Sequence, residues 1–365
     1  MLHVTAPSNM TSFGECAALV MTPTPSTSIR PRGCAVSRRY VPSAWEQQWA
    51  ANISALAVGR VWRQACRQLV SERDSVSAWL DTCVARTEGV ANGAWSHEIF
   101  SYHELRGCDG RAVVIPIEPL VGLLRHPNYY CIVPGTGSTH IPNWVSGALW
   151  KFNRDYLLPM WKVEAQLASP GRAYFFDLGA SVYNGGLGGA SQKWFIDSYL
   201  RRGIHFDRIF AWEVRARTDA QITKPLPKAL RNRTTVYREA PAGGFRLPDE
   251  QLSYFNFGVS SDPSDPRHPW RLLRATAKLR DLVVVKVDID SPSIEEPLVR
   301  QILEDDALSG LIDEFYFEHH VHNHPLTRRN FGWGPSVQQT NCTVVDSYEV
   351  FARLRQLGIR AHSWV

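Results

Sequence analysis

Five points in the second half of the chain bring together residue types that could do chemistry: Asp177-Leu178-Gly179-Ala180, Glu213, Asn256-Phe257-Gly258, Asp288-Ile289-Asp290 and Glu318-His319-His320. A carboxylate can accept hydrogen bonds from both hydroxyls of a ribose. A glycine lets the backbone approach a ligand or adopt positive φ. A histidine titrates near neutrality and can move a proton. Each point closes an apolar, β-prone run. Acids stranded in a core are costly, so a row of them at one sheet edge indicates a cleft.

The glycines after the first run, FFDLGASVYNGGLGGAS, precede a helix whose N-terminus carries partial positive charge. The turn is longer than the G-x-G-x-x-G dinucleotide fingerprint and does not match it. Glu-His-His-Val-His-Asn-His over 318–324 is the densest cluster of titratable side chains. In an extended chain His320, His322 and His324 share one face and His319 takes the other. Three readings stay open: a general base for a hydroxyl acceptor, a transition-metal site with Asp288 or Asp290, or polar side chains that tie down a loop. No metal ligand set is assigned.

The elements that must position these residues alternate in type. Strands are expected at Ala173–Leu178, Arg208–Glu213, Leu252–Phe257, Leu282–Ile289 and Leu311–His319, with a last one at Ile359–Val365. Helices are expected at Ser191–Arg202, Trp270–Arg280, Ser293–Glu304 (opening on a capping-box pattern) and Tyr348–Gln356. Alternation of this kind predicts an α/β fold, a Rossmann-like, mostly parallel sheet flanked by helices. Several strands are continuously apolar, as strands covered on both faces are. Ligands of such sheets bind at the carboxyl ends of the strands, where strand order reverses.

With these motifs in order, the region from 171 to 365 resembles the class I S-adenosylmethionine-dependent methyltransferases, and most the FkbM-type group. Asp177-Leu178-Gly179-Ala180-Ser181 is similar to the family's first motif, and Ile209–Glu213 to its second strand with a closing acid. Asn256-Phe257-Gly258-Val259-Ser260 is similar to the third, Lys286-Val287-Asp288-Ile289-Asp290-Ser291 to the fourth, and Leu354–Ile359 to the closing helix, glycine and strand. The chain departs from the family in its longer glycine loop, in Asp290-Ser291 where the family has Glu-Gly, and in having one strand after the fifth instead of two. The resemblance implies S-adenosylmethionine as cofactor. Gly179, Ala180 and Ser181 would line its methionine part, Asp177 would orient it, Glu213 would hold the ribose, and Asn256 and Phe257 would border the adenine. It implies methyl transfer, to an oxygen of a small-molecule or glycan acceptor, with Asp288, His319 and His320 as candidate catalytic groups. The alternative is an inactive methyltransferase fold acting as a binding or structural protein, its pocket blocked from the Tyr183–Leu187 region.

The rest of the chain bounds these readings. It has 365 residues, enough for one large domain or two. Residues 1–42, rich in Ser, Thr, Pro and Arg, read as a disordered tail or an organellar targeting segment. Residues 43–170 read as a mainly helical cap or extension, helical over 43–88 and irregular over 89–110. Strands follow at Ala112–Ile117 and Tyr130–Val133, then a loop at Pro134–Pro142 and an aromatic stretch, Trp144–Trp161, that docks onto the sheet. A net charge of +5 spread along the chain gives no basic patch for nucleic acid. No apolar run reaches the ~20 residues of a membrane span. Seven cysteines without a C-x-x-C pair read as buried, reduced thiols, while four N-x-S/T sequons weakly favour secretion.

Overall fold

A computed structural model describes residues 37–52, 71, 96–106, 112–121, 124, 154, 157–160, 171–184, 191–240, 250–322 and 339–364. Its centre is the expected α/β sheet. Seven parallel strands run β4 (Ala173–Leu178), β5 (Arg208–Trp212), β6 (Thr234–Tyr237), β7 (Leu252–Phe255), β8 (Leu282–Val287), β9 (Glu314–Phe317) and β10 (Arg360–Ser363) along the chain. Their spatial order is β10-β9-β8-β4-β5-β7-β6. The chain moves outward on one side of β4, then returns to the other side at β8. The reversal lies between β4 and β8, which is the topological switch point of an open parallel sheet.

Burial on both faces explains why β4 and β8 are apolar apart from Asp177 and Lys286. In β4, Tyr174, Phe176 and Leu178 enter one core cluster, whereas Ala173 and Phe175 enter the other. In β8, Val283, Val285 and Val287 join the first, and Leu282 and Val284 the second. Both faces are covered, so no residue of either strand had to be polar for solubility. That makes Lys286, in the run LVVVKV and 1% exposed, an exception with a cause to find.

The helices differ from expectation mainly at their ends. After α1 (Ala44–Asn52), α2 (Ser191–Arg201) precedes Gly203 at φ +75°. Short α3 (Asp219–Thr223) and α4 (Lys228–Arg231) follow β5, and α5 (Pro269–Thr276) is shorter than expected because Ala277 turns extended. α6 (Pro292–Glu304) starts at Pro292, so Ser293 lies inside it and the capping box read there does not form. Instead the Thr340 hydroxyl donates to Glu296. After α7 (Asp306–Ser309), α8 (Val344–Gln356) begins four residues earlier than expected, on a capping box of Thr343 and Asp346. Strand β6, TTVY, was not anticipated; it is short and half-buried, with none of the apolar continuity of β4 or β8.

The N-terminal part contains a three-stranded antiparallel sheet, β1 (Ser37–Val41), β2 (Ser101–Arg106) and β3 (Ala112–Ile117), in the order β1-β2-β3. Strand β1 lies within the segment read as a tail, and β2 within the segment read as irregular. Pro116 is tolerated because β3 is an edge strand. Helix α1 confirms part of the helical stretch expected over 43–88. Most of residues 53–95, Tyr130–Val133 and the Pro134–Pro142 loop lie outside the described residues. Of the docking stretch, Leu157, Leu158 and Met160 are buried in the cores, and the Arg154 guanidinium lies 4.1 Å from the Trp364 ring.

This part docks against β9, β10 and α8 through buried ions. Arg360 bonds Glu314 at 2.9 Å and the Pro116 carbonyl at 3.3 Å. Arg355 donates to the Glu118 carbonyl at 2.9 Å and to the Tyr40 hydroxyl at 3.1 Å. His362 joins Glu118 at 2.7 Å and Glu314 at 3.3 Å. Cys342 is disulfide-bonded, a correction to the expectation of reduced thiols. Every other cysteine lies outside the described residues.

Candidate functional site

The strand register decides whether the five sequence motifs meet. Phe317 pairs with Val287, Val287 with Leu178, Leu178 with Trp212, and Trp212 with Phe255. The next residue on each strand is therefore Glu318, Asp288, Gly179, Glu213 and Asn256, one row across the carboxyl edge. The backbone ladder continues through this row. Glu318 N–H donates to Val287, Asp288 to Leu178, Gly179 to Trp212 and Glu213 to Phe255, each at 3.0 Å. The motifs expected to share an edge do share it, side by side, on both flanks of the switch point.

Gly179 sits at φ +89°, and a Cβ there would lie 1.6 Å from the Asp288 carbonyl oxygen. The glycine is required by close contact between the loops after β4 and β8. Ala180 is fully buried, and its N–H donates to Trp212 at 2.8 Å. Ser181 is also at positive φ, 52°, and its carbonyl accepts from the Tyr254 hydroxyl. Tyr183 packs into the core at 7% exposure. The glycines at 185–189 lie outside the described residues, as do the rest of the loop and Leu187's place in a blocked pocket.

Asp177 is wholly buried and Lys286 explains it. The Lys286 ammonium lies 3.2 Å from Asp177 and 3.0 Å from Asp288, and donates to the Gly179 carbonyl at 2.8 Å. Burial alone would favour neutral Lys286; the two carboxylates outweigh it and raise its pKa above the ordinary value. Asp288 also accepts from the Trp364 indole at 3.1 Å. Sequence placed Lys286 in the fourth motif without giving it a role, and did not single out Trp364. A lysine inside an apolar strand was the available signal for the first; nothing local marks the second.

Glu213 is 8% exposed, and its Oε1 accepts from the Arg215 N–H at 2.7 Å. Asn256 is tied to the same loop. It accepts from the Arg217 N–H at 2.8 Å and donates to the Glu213 and Arg215 carbonyls at 2.9 and 2.8 Å. Its side-chain amide thus fixes the turn that carries Glu213. Phe257 is half-buried against Phe255, ring centroids 5.7 Å apart.

The two adjacent histidines face different surroundings. His319 bonds Ser347 of α8 at 3.1 Å and stacks on Phe317. His320 lies 3.2 Å from Glu318 and 3.8 Å from Asp290. Burial alone would lower the His320 pKa, but the Glu318 charge, its hydrogen bond and the nearby Glu295 and Asp290 raise it to about 9. Burial raises Glu295 to about 8, against the opposing His320 charge. Asp290 is also raised, by burial and then Glu318, with His320, Lys286 and Arg215 opposing. His322 bonds the Thr340 carbonyl at 2.6 Å, a loop-fixing role, and His324 lies outside the described residues.

No helix among the described residues is long and apolar enough to cross a membrane. Among known proteins, no family model matches the chain, and no curated protein or solved structure matches it significantly.

Proposed function

We propose that the chain binds S-adenosylmethionine beyond the carboxyl ends of β4 and β5 and passes its methyl group to an oxygen acceptor. The observation that carries this reading is the aligned row Asp288, Gly179 and Glu213 at the switch point. The cofactor's sulfonium supplies an activated methyl group; the chain's task is alignment of donor and acceptor. Glu213 accepts the ribose hydroxyls with the lone pairs left after Arg215 is satisfied. The backbone of Gly179, Ala180 and Ser181 lines the amino-acid part. Lys286 holds the loops after β4 and β8 together from below. Asp288, anchored by Lys286 and Trp364, and His319, bonded to Ser347, act as positioning groups.

Isothermal titration of the full chain with S-adenosylmethionine and S-adenosylhomocysteine tests the reading. One site per chain is expected. Glu213→Ala removes charge-assisted hydrogen bonds of ~1.5–3 kcal/mol, so affinity should fall roughly 10- to 150-fold. Absence of binding by folded protein overturns the proposal. The order β7-β5-β4-β8-β9-β10 is also that of dinucleotide-binding sheets, and this supports a second reading in which NAD is the ligand. The same titration with NAD separates the two. Binding of a cofactor without methyl transfer to any oxygen acceptor would favour the inactive alternative.

A further inference from the structure

We infer that Asp290, Glu318 and His320 form a binding site for a divalent transition-metal cation at the mouth of the switch point. The three residues come from the loops directly after β8 and β9, neighbours in the sheet. Each offers one ligand atom, and the three atoms lie within 4.8 Å of one another. Imidazole with two carboxylates suits manganese, cobalt, iron or zinc better than the all-oxygen sets of magnesium or calcium. The spacing suits a shared ion. Ligand atoms ~2.1 Å from a common metal and separated like His320 and Glu318 subtend about 100°, between tetrahedral and octahedral. The Asp290 oxygen is farther, at 3.8 Å, and its side chain is 64% exposed, free to swing inward.

A second, independent observation points to a missing partner here. Glu295, on α6 and 1% exposed, accepts from the Ile289 N–H at 2.7 Å through Oε1. Its Oε2 is buried without a hydrogen-bond partner among the described residues. Its charge acts on His320, Glu318 and Asp288. A cation held by the neighbouring groups would favour the charged form of this buried carboxyl, whose second oxygen has no partner among the described residues. A second cluster, Glu296, His319 and Cys342, carries no such proposal: its sulfur is in a disulfide and offers no thiolate.

The site opens on the solvent side, where Asp290 is exposed. Open coordination positions there would take an acceptor hydroxyl and acidify it; that role, unlike the metal site itself, rests on the methyl-transfer reading. The test uses the full chain, stripped with chelator and titrated with Mn²⁺, Co²⁺ and Zn²⁺ by calorimetry, with Mn²⁺ also followed by electron paramagnetic resonance. One site per chain is expected. Asp290→Asn, at an exposed position that spares the fold, and Glu318→Gln should each weaken it at least tenfold, while Glu296→Gln should leave it unchanged. No stoichiometric binding, or binding indifferent to Asp290→Asn and Glu318→Gln, overturns the inference. S-adenosylhomocysteine titrated in chelator reports on the cofactor reading separately, so failure of one leaves the other distinguishable.

Discussion

Replacing Lys286 with Met asks how much of the site's architecture depends on one buried cation. The ammonium is shared by Asp177 at 3.2 Å, Asp288 at 3.0 Å and the Gly179 carbonyl at 2.8 Å. Met keeps the volume and loses the charge. Asp177 is wholly buried and has no route to bulk water. Asp288, with a side chain 23% exposed, can hydrate in part. Removing one partner of a buried pair costs about 3–5 kcal/mol because the other charge is left uncompensated. Domains are stable by ~5–15 kcal/mol, so this is a large fraction of the total. With a urea slope of roughly 3 kcal/mol/M the unfolding midpoint should fall by about 1–1.7 M. Adding Asp177→Asn to Lys286→Met removes the stranded charge and should recover part of the loss. Equilibrium urea unfolding, monitored by tryptophan fluorescence, measures both. A Lys286→Met variant within about 0.5 kcal/mol of the parent would refute the reasoning, since that is the range of ordinary surface substitutions.

Gly179→Ala places a side-chain atom against the Asp288 carbonyl at a left-handed backbone position; strain alone costs on the order of 1–3 kcal/mol, and a thermal midpoint unchanged from the parent would show that the loops after β4 and β8 are not in contact. Acid should weaken the protein through Glu118 and Glu314. Burial pushes both carboxyls up, but His362 with Arg355 beside Glu118, and His362 with Arg360 beside Glu314, hold them below the ordinary 4.5. Folded values below the unfolded value mean stability that is full above about pH 4.5 and lost as pH falls through the folded values. Urea midpoints between pH 7 and pH 3 should show that fall, and Glu314→Gln should flatten it; equal acid sensitivity in the variant would sink the assignment.

The central sheet was legible because its strands obey a rule visible in sequence. Runs such as AYFFDL and LVVVKV are almost wholly apolar only when both faces are covered, and their ends carried the polar residues that the register aligns. The alignment itself was not legible, since it depends on pairing between strands distant in sequence. The roles of individual acids were hidden for the same reason. Asp177 and Asp288 look equivalent in sequence and share Lys286, yet one is wholly buried and the other reaches the surface, where it also takes the Trp364 indole. His319 and His320 are adjacent, but strand alternation sends one to Ser347 and the other to Glu318. The two neighbouring rings therefore have different partners.

In the N-terminal sheet β3 takes the bounds expected from sequence, whereas β1 and β2 escaped the same reading, and β2 shows why, because it inverts the usual alternation. In β2, SYHELR, Ser101, His103 and Leu105 are buried, while Tyr102 and Glu104 are partly exposed. A strand whose inward face carries serine and histidine has no amphipathic signature, because the surface it covers is itself ionic. The Ser101 hydroxyl donates to Glu46 at 2.6 Å, and Glu46 also takes the Leu120 N–H at 2.9 Å and lies 3.5 Å from Arg355. Arg355 and Arg360 then reach back to Glu118 and Glu314. Buried ions of this kind contribute little net stability compared with apolar residues of the same shape. Their value lies in geometry. An apolar patch tolerates sliding, whereas Arg360 must meet Glu314 and the Pro116 carbonyl together, and His362 must meet Glu118 and Glu314 together. The network therefore fixes one register of β1–β3 against β9 and β10. Because Trp364, the residue after β10, holds Asp288, that register is one contact away from the candidate site.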